Sequence, residues 1–360
     1  MGKIELDHTG SGGGVTLSSD GTDLLLDGTA IGGGGGSPDL YSDSANGSAV
    51  TPTSNAGGSY NSVAIGNGAD IGSGRGESIA IGTDSLTNQS QAIALGKAAT
   101  VGSGGSFATA LGRNSLANGT SATAIGTSYA SGTDSFAAAI ANNSSSYGAT
   151  GANSVAIGDR AKATGSRAFA TGYASIASGN GAKAFGGFGS GTGTLASKEG
   201  STAIGDGAKS EVSYKVAIST RSFAAQGDAQ TGITTLRAQT TNTTPIALYS
   251  DTNLPDTGNQ VILPNKSAFA FHGTIVARQQ ASQGTASAAW KVEGLIRREG
   301  SAGTTVLVNS ATTVLDNTPG WGMALSADTT NGGLAITVTG AASTNIRWVA
   351  TIHTSEVTYA

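Results

Sequence analysis

A short motif that returns about every 14 residues restricts this chain more than any other feature: a small residue, a large apolar one, then usually glycine. Clear copies are Ala64-Ile65-Gly66, Ala80-Ile81-Gly82, Ala94-Leu95-Gly96, Ala110-Leu111-Gly112, Ala124-Ile125-Gly126, Ala156-Ile157-Gly158 and Ala203-Ile204-Gly205. Degenerate copies read Ala139-Ile140-Ala141, Ala170-Thr171-Gly172, Ala184-Phe185-Gly186 and Ala217-Ile218-Ser219, with insertions stretching the spacing to as many as 19 residues, as between Ala184 and Ala203. A period this short, with glycine at its corners, is the signature of a solenoid or roll in which each repeat is one supersecondary unit stacked on its neighbours.

In Asn61-Ser62-Val63-Ala64-Ile65-Gly66, strand alternation sends Val63 and Ile65 to one face and Ser62 and Ala64 to the other. Both faces carry only small or aliphatic groups. We read the large members, Val63, Ile65, Ile81, Leu95, Leu111, Ile125, Ile157 and Ile204, as the structural core of the repeats. Ordering one residue costs about 1–2 kcal/mol of backbone entropy, whereas a buried CH₂ returns about 0.8 kcal/mol. A stack of alanine-rich turns is therefore thinly stabilised, and packing its second apolar face against other chains is the natural remedy.

The composition agrees with an ordered but thin molecule. Among 360 residues there are 57 Gly but 6 Pro, which excludes collagen, and 38% apolar residues with a net charge of -4 argue against simple disorder. With no cysteine, neither disulfides nor thiolate metal sites can support the fold. Basic residues are scattered and Arg297-Arg298 is the only adjacent pair, so there is no electrostatic footprint for a phosphate backbone and nucleic acid is not an expected partner. The first residues contain no apolar run of secretory length, and no stretch of about 18 apolar residues occurs, so neither an export signal nor a membrane helix is expected.

The Asn-Ser-Val-Ala-Ile-Gly pattern and its 14-residue spacing resemble the head repeats of trimeric autotransporter adhesins of the YadA type. The resemblance covers about residues 60–227 and implies a left-handed parallel β-roll assembled as a homotrimer. It stops short of the whole adhesin: no heptads of a coiled-coil stalk and no terminal barrel signature are visible. Ahead of the repeats, Ile4-Glu5-Leu6-Asp7-His8-Thr9-Gly10-Ser11-Gly12 and Leu17-Ser18-Ser19-Asp20-Gly21-Thr22 resemble the openings of phage virion fibre proteins, whose first segment docks onto the particle.

Four regions follow from this pass. Residues 1–31 alternate apolar and polar positions around the turn signal Ser19-Asp20-Gly21 and read as a small strand-and-hairpin docking unit; residues 32–59, opening on the run Gly32 to Gly36, read as a linker. Residues 60–239 hold the roll. Residues 240–360 change character, with longer alternating segments near 259–263, 267–278, 288–298, 304–308, 323–327, 334–339 and 346–359 separated by turn signals such as Asn317-Thr318-Pro319-Gly320. About seven strands without helical periodicity predict a β-sandwich or jelly roll.

Chemistry has little purchase on this sequence. His8, His272 and His353 are the only histidines, without the His-x-His or Glu-x-x-His spacing that presents two metal ligands on one face. Gly10-Ser11-Gly12-Gly13-Gly14 lacks the Lys-Ser/Thr ending of a phosphate loop. Asp134, Asp159, Glu199 and Asp206 read as solvated turn residues, and no serine sits in a nucleophile elbow. No cofactor and no catalytic residue are expected. Trp290 and Trp348 alternate with apolar neighbours and belong to a core, whereas Trp321 stands between Gly320 and Gly322 in a turn-rich segment, which makes it the one candidate receptor contact.

The expected protein is an all-β, non-enzymatic virion fibre: a trimeric left-handed parallel β-roll followed by a C-terminal β-sandwich or jelly roll. Its expected partners are two further copies of itself, a tail or baseplate protein through the N-terminus, and a host cell-surface receptor, with glycans among the candidates. A capsid-attached head fibre or decoration protein, a bacterial surface adhesin fragment and a depolymerising tailspike are the alternatives, the last requiring an acidic, aromatic-rich groove that the sequence does not show.

Overall fold

A computed structural model describes residues 61–141, 144, 146–187 and 193–359, together with the backbone strands Ile4–Leu6, Val15–Ser19, Leu24–Leu26 and Thr29–Ala30. The linker read at 32–59, the Gly10-to-Gly14 segment and His8 lie outside the described residues. The four N-terminal strands form an antiparallel meander, with Ile4 opposite Leu17, Leu17 opposite Leu26 and Leu25 opposite Ala30.

The repeats build a β-roll from two parallel sheets. Strands of three residues, from Val63–Ile65 to Val216–Ile218, supply eleven members of a 16-stranded sheet; strands of two residues, from Asp70–Ile71 to Lys209–Ser210, make a 10-stranded sheet opposite. The motif alanines stand in register, Ala64 against Ala80, Ala80 against Ala94 and Ala94 against Ala110, and the column runs unbroken to Ala217. The degenerate copy placed at Ala139-Ile140-Ala141 needs correcting. The strand there is Phe136–Ala138, and Ala137 is the residue aligned with Ala124 and Ala156. Ladder register, not the identity of the large residue, sets the phase, and Ile140 turns into the interior instead, fully buried.

The interior is lined by methyl groups. Ala80, Ala94, Ala110, Ala124, Ala156 and Ala203 are all 0% exposed, and the buried cluster of the roll is alanine except for Val101 and Ile140. This reverses the expected sidedness. Val63 (42% exposed), Leu95, Leu111 and Ile204 (39% each) and Ile125 (36%) face outward, and Ile65, Ile81 and Ile157 are only half-buried. Alternation requires one face in and one face out; along the three-residue strands the inward position of the closed roll is filled by alanine methyls.

The corners use left-handed backbone more widely than the glycines suggest. Asp84 (φ 57°), Ala98 (φ 53°) and Asn114 (φ 55°) occupy this region at one corner, and Glu77 (φ 60°), Gln91 (φ 57°) and Ser121 (φ 55°) at another. The amide of each successive rung pins these residues: Ala98 N donates to Thr83 O at 2.8 Å and Ser121 N to Ser106 O at 2.8 Å. Buried hydroxyls bond across the same corners, as Ser85 Oγ to Gly82 O and Ser115 Oγ to Gly112 O, both 2.9 Å.

The large sheet does not end with the roll. Ala229–Thr240 pairs antiparallel with Val216–Ile218, then with Ile346–Thr358, and Ser267–Gln279, Ser287–Arg298 and Val306–Asp316 complete the sheet. The first strand of the terminal region thus begins at Ala229, inside the segment that the sequence reading gave to the repeats. A 4-stranded sheet centred on Gly333–Thr339, with Gly322–Asp328, Ile246–Ala247 and Val261–Ile262, covers one face. Between the two sheets lie Phe269, Ile275, Trp290, Trp348, Leu334 and Ile336, all buried, so the terminal region is a two-sheet sandwich.

Candidate functional site

Three features of the folded chain could carry function. The first is the outward face of the long sheet. Val63, Ile79, Ile93, Leu95, Leu111, Ile125, Ile204 and Ile218 project from the outward face of the roll and stay 36–42% exposed, concentrated on its first five rungs and its last two. Because Val216 stands opposite Ile233 and Ile233 opposite His353, the same face continues without a break onto the terminal sheet.

The second is the junction between the roll and the sandwich. Lys215, from the last rungs, reaches Glu356 of the final strand, with Nζ 2.6 Å from Oε1 and 2.7 Å from Oε2; the side chains are 8% and 1% exposed. Gln230 Nε2 donates to Oε2 at 2.7 Å and Thr354 Oγ1 to Oε1 at 2.6 Å, while the ammonium also lies 5.5 Å from the centre of the Phe269 ring. A buried pair persists only when its lone pairs are satisfied this fully. Beside it, Asp228 receives the amides of Phe223 (2.8 Å), Ala224 (2.6 Å) and Ala225 (2.8 Å). Burial pushes its carboxyl upward, but those backbone donors outweigh it and hold the group below the usual aspartate range. A cavity of about 430 Å³ opens here, walled in part by Lys209, Glu211, Lys215, Arg298 and Thr358. Arg298 Nε and Thr358 Oγ1 are wall atoms without a partner, and no aromatic ring lines the space. It suits water or a small polar group and offers no platform on which a sugar could stack.

The third is the loop surface of the sandwich, and here Trp321 requires correction as a receptor contact. It is 5% exposed, its ring centre is 5.8 Å from that of Trp348, and Asn317 clamps its backbone by accepting from Trp321 N (2.9 Å) and donating to Trp321 O (2.8 Å). The flanking glycines let the indole fold back over the core. An exposed apolar group on a braced loop of the sandwich is Leu254, at 74%. Asn259 Nδ2 donates to Asp251 Oδ1 at 3.0 Å and to Leu254 O at 2.9 Å, and Asp256 N donates to Asn259 Oδ1 at 2.7 Å, so the loop is stiff although its apex is apolar. Leu254 lies in an Asn-Leu-Pro-Asp stretch that reads from sequence as an ordinary turn.

Among the described residues no group of three or more His, Cys, Asp or Glu is placed to hold a metal ion. Asp134, Asp159, Glu199 and Asp206 stay apart along the roll; Glu199 accepts from Tyr214 Oη at 3.1 Å, a bond that raises the tyrosine above its ordinary value.

Comparison with known proteins places the repeats. The family model for the YadA head domain repeat matches residues 77–99, 103–128, 149–175 and 190–211, all within the roll. No curated protein sequence matches the chain. Among solved structures, a tailspike protein of Acinetobacter baumannii bacteriophage Fri1, a capsular polysaccharide depolymerase, is similar at 10% identity with a TM-score of 0.19. The alignment covers 81% of this chain and 47% of that one, so the chain spans about half the length of the tailspike. The matched segments of the roll are similar to the YadA head domain repeat.

Proposed function

We propose that the chain is a non-enzymatic fibre subunit of a phage virion that assembles as a homotrimer and attaches the particle to its host surface. The observation that carries the reading is the outward stripe: each rung of the long sheet turns at least one large apolar side chain outward, with Lys183 and several threonines among them, and a surface that repeats at the same rise, another copy of the roll, can cover it. Residues 1–31 dock the fibre to a tail or baseplate protein, the roll acts as a spacer, and the sandwich recognises the host receptor. Supporting the last assignment, the roll presents a monotonous surface while the sandwich carries varied, braced loops on a rigid scaffold. Three copies at one tip turn weak single sites into avid attachment where receptors are spaced for simultaneous engagement.

The test has two arms. Sedimentation of the full chain should return three chains per particle. The purified chain should also compete with phage for adsorption to host cells, and Leu254→Asp should weaken that competition without changing the sedimentation. A trimer that never competes removes host attachment, whereas a stable monomer removes the fibre model itself.

A further inference from the structure

The joint between roll and sandwich gathers a primary amine and a carboxamide on one carboxylate oxygen. Gln230 stands directly opposite Glu356 on the neighbouring strand. Glu356 Oε2 accepts from Lys215 Nζ at 2.7 Å and from Gln230 Nε2 at 2.7 Å, so the amine and the carboxamide lie within two hydrogen-bond lengths of each other. The carboxamide is held from its other side as well. Lys209 N donates to Gln230 Oε1 at 2.9 Å, and Gln230 Nε2 donates to Lys209 O at 3.0 Å. The second amine nearby, Lys209 Nζ, is engaged by Glu211 at 2.9 Å. Gly232 leaves the space in which the group meets: a Cβ there would collide with Glu356 Oε1, Thr354 Oγ1 and Lys215 Cε.

We propose that Lys215 and Gln230 join in an intramolecular isopeptide bond, with Glu356 as the proton carrier. Proton transfer from Nζ to Glu356 within the 2.6 Å contact removes two buried charges and frees the amine as a nucleophile. Rotation of the lysine stem brings Nζ to the near-attack distance of about 3–3.5 Å from Gln230 Cδ, while Lys209 keeps the carboxamide still. The new C–N bond forms there, and the charge that develops on Oε1 meets the Lys209 amide, placed as an oxyanion donor. Glu356 gives its proton to the departing Nε2 and takes one from the new secondary amine, and the Cδ–Nε2 bond breaks. In sum, one lysine ammonium and one carboxamide become one amide and one ammonium ion, without oxidant or cofactor. The ammonium leaves through the cavity of about 430 Å³, whose wall includes Lys215, Gln230 and Glu356. The bond would tie the last rung of the roll to Ala229–Thr240, the first strand of the terminal region.

The experiment is the intact mass of the full-length chain, denatured for measurement after prolonged incubation in the folded state at physiological temperature. It should fall short of the sequence mass by one ammonia per chain. Trypsin should then fail to cut after Lys215 and release residues 210–221 joined to residues 222–237, with fragmentation placing the branch at Gln230. Lys215→Arg keeps a cation beside Glu356 but offers no amine, and it should show the full mass and separate peptides. Gln230→Leu should do the same. Glu356→Gln keeps both reacting groups and should slow the mass loss about a hundredfold or more. Thermal midpoints check that these variants fold; where one does not, the parent chain still decides the matter. A parent chain at full mass after incubation overturns the bond, as does a mass deficit without the branched peptide. Loss of one water instead would put the bond at Glu356 and overturn the role of Gln230, and an undiminished rate in Glu356→Gln would overturn the proton carrier.

Discussion

At the scale of single residues, the alanine column and the glycine corners tolerate the least change. Ala110 is 0% exposed and stands in register between Ala94 and Ala124. Ala110→Leu should overpack the lumen and cost about 1–3 kcal/mol per chain, measured as a lower denaturation midpoint. Gly82 has φ +129°, and a Cβ there would sit 2.5 Å from Gly96 O, so Gly82→Ala must push one rung off the next. The opposite sign is expected at Ala98. Its left-handed backbone (φ 53°) costs a side-chain-bearing residue about 1–2 kcal/mol, partly offset by the greater unfolded entropy of glycine, about 0.5–1 kcal/mol. Ala98→Gly should therefore leave stability unchanged or raise it by up to about 1.5 kcal/mol, while Ala94→Gly, in a strand, should lower it. The sequence displayed these residues but not their sidedness. Alternation separated Val63 and Ile65 from Ala64 with no means of saying which set was inside, because that choice belongs to the width of the closed roll, which corner geometry decides.

At the scale of elements, the joint between roll and sandwich is held by charge in a way that the sequence could not reveal. Lys215 and Glu356 are 141 residues apart, and only the antiparallel pairing of the last strand with Ala229–Thr240 brings them together. That strand was itself missed as a terminal element: its inward positions include Thr234 and Thr240 along with Leu236, so it lacks the apolar alternation that marked its neighbours. The strands Ser267–Gln279, Ser287–Arg298 and Ile346–Thr358 alternate buried and exposed positions and are legible in sequence for that reason, whereas Val306–Asp316, exposed along almost its whole length, shows in sequence only as the segment 304–308. Glu356→Gln should destabilise the joint by about 3–5 kcal/mol by leaving the Lys215 ammonium buried and unpaired. Replacing both by methionine should recover most of that loss. The Asp228 clamp adds a pH dependence of definite sign. Its folded carboxyl ionises below the unfolded aspartate value of about 3.9, so its stabilisation is complete above that value and is lost as pH falls through the folded one. Asp228→Asn should be less stable at neutral pH, and the gap to the parent should narrow on acidification below about pH 4.

At the scale of the whole molecule, the sheet that runs from the first rung to the edge strand Val306–Asp316 makes assembly separable from folding. The inward face holds each roll together, while the outward face is left to other chains, so substitutions on the two faces should fail differently. Leu111 and Ile125 are adjacent across two rungs and are 39% and 36% exposed in the single chain. A charge at such a position already meets water, and a surface change of this kind alters the stability of an isolated chain by about 0.5 kcal/mol or less. In a homotrimer closed over the stripe, the same change buries like charges from every copy near one another, at several kcal/mol per ion. The double variant Leu111→Asp, Ile125→Asp should therefore lose the threefold mass in sedimentation while Ala110→Leu loses the fold. High salt should not restore assembly of the charged variant, because desolvation persists when repulsion is screened. Retention of a three-chain particle by the double variant would mean that the copies meet elsewhere, and the outward stripe would then need a different covering.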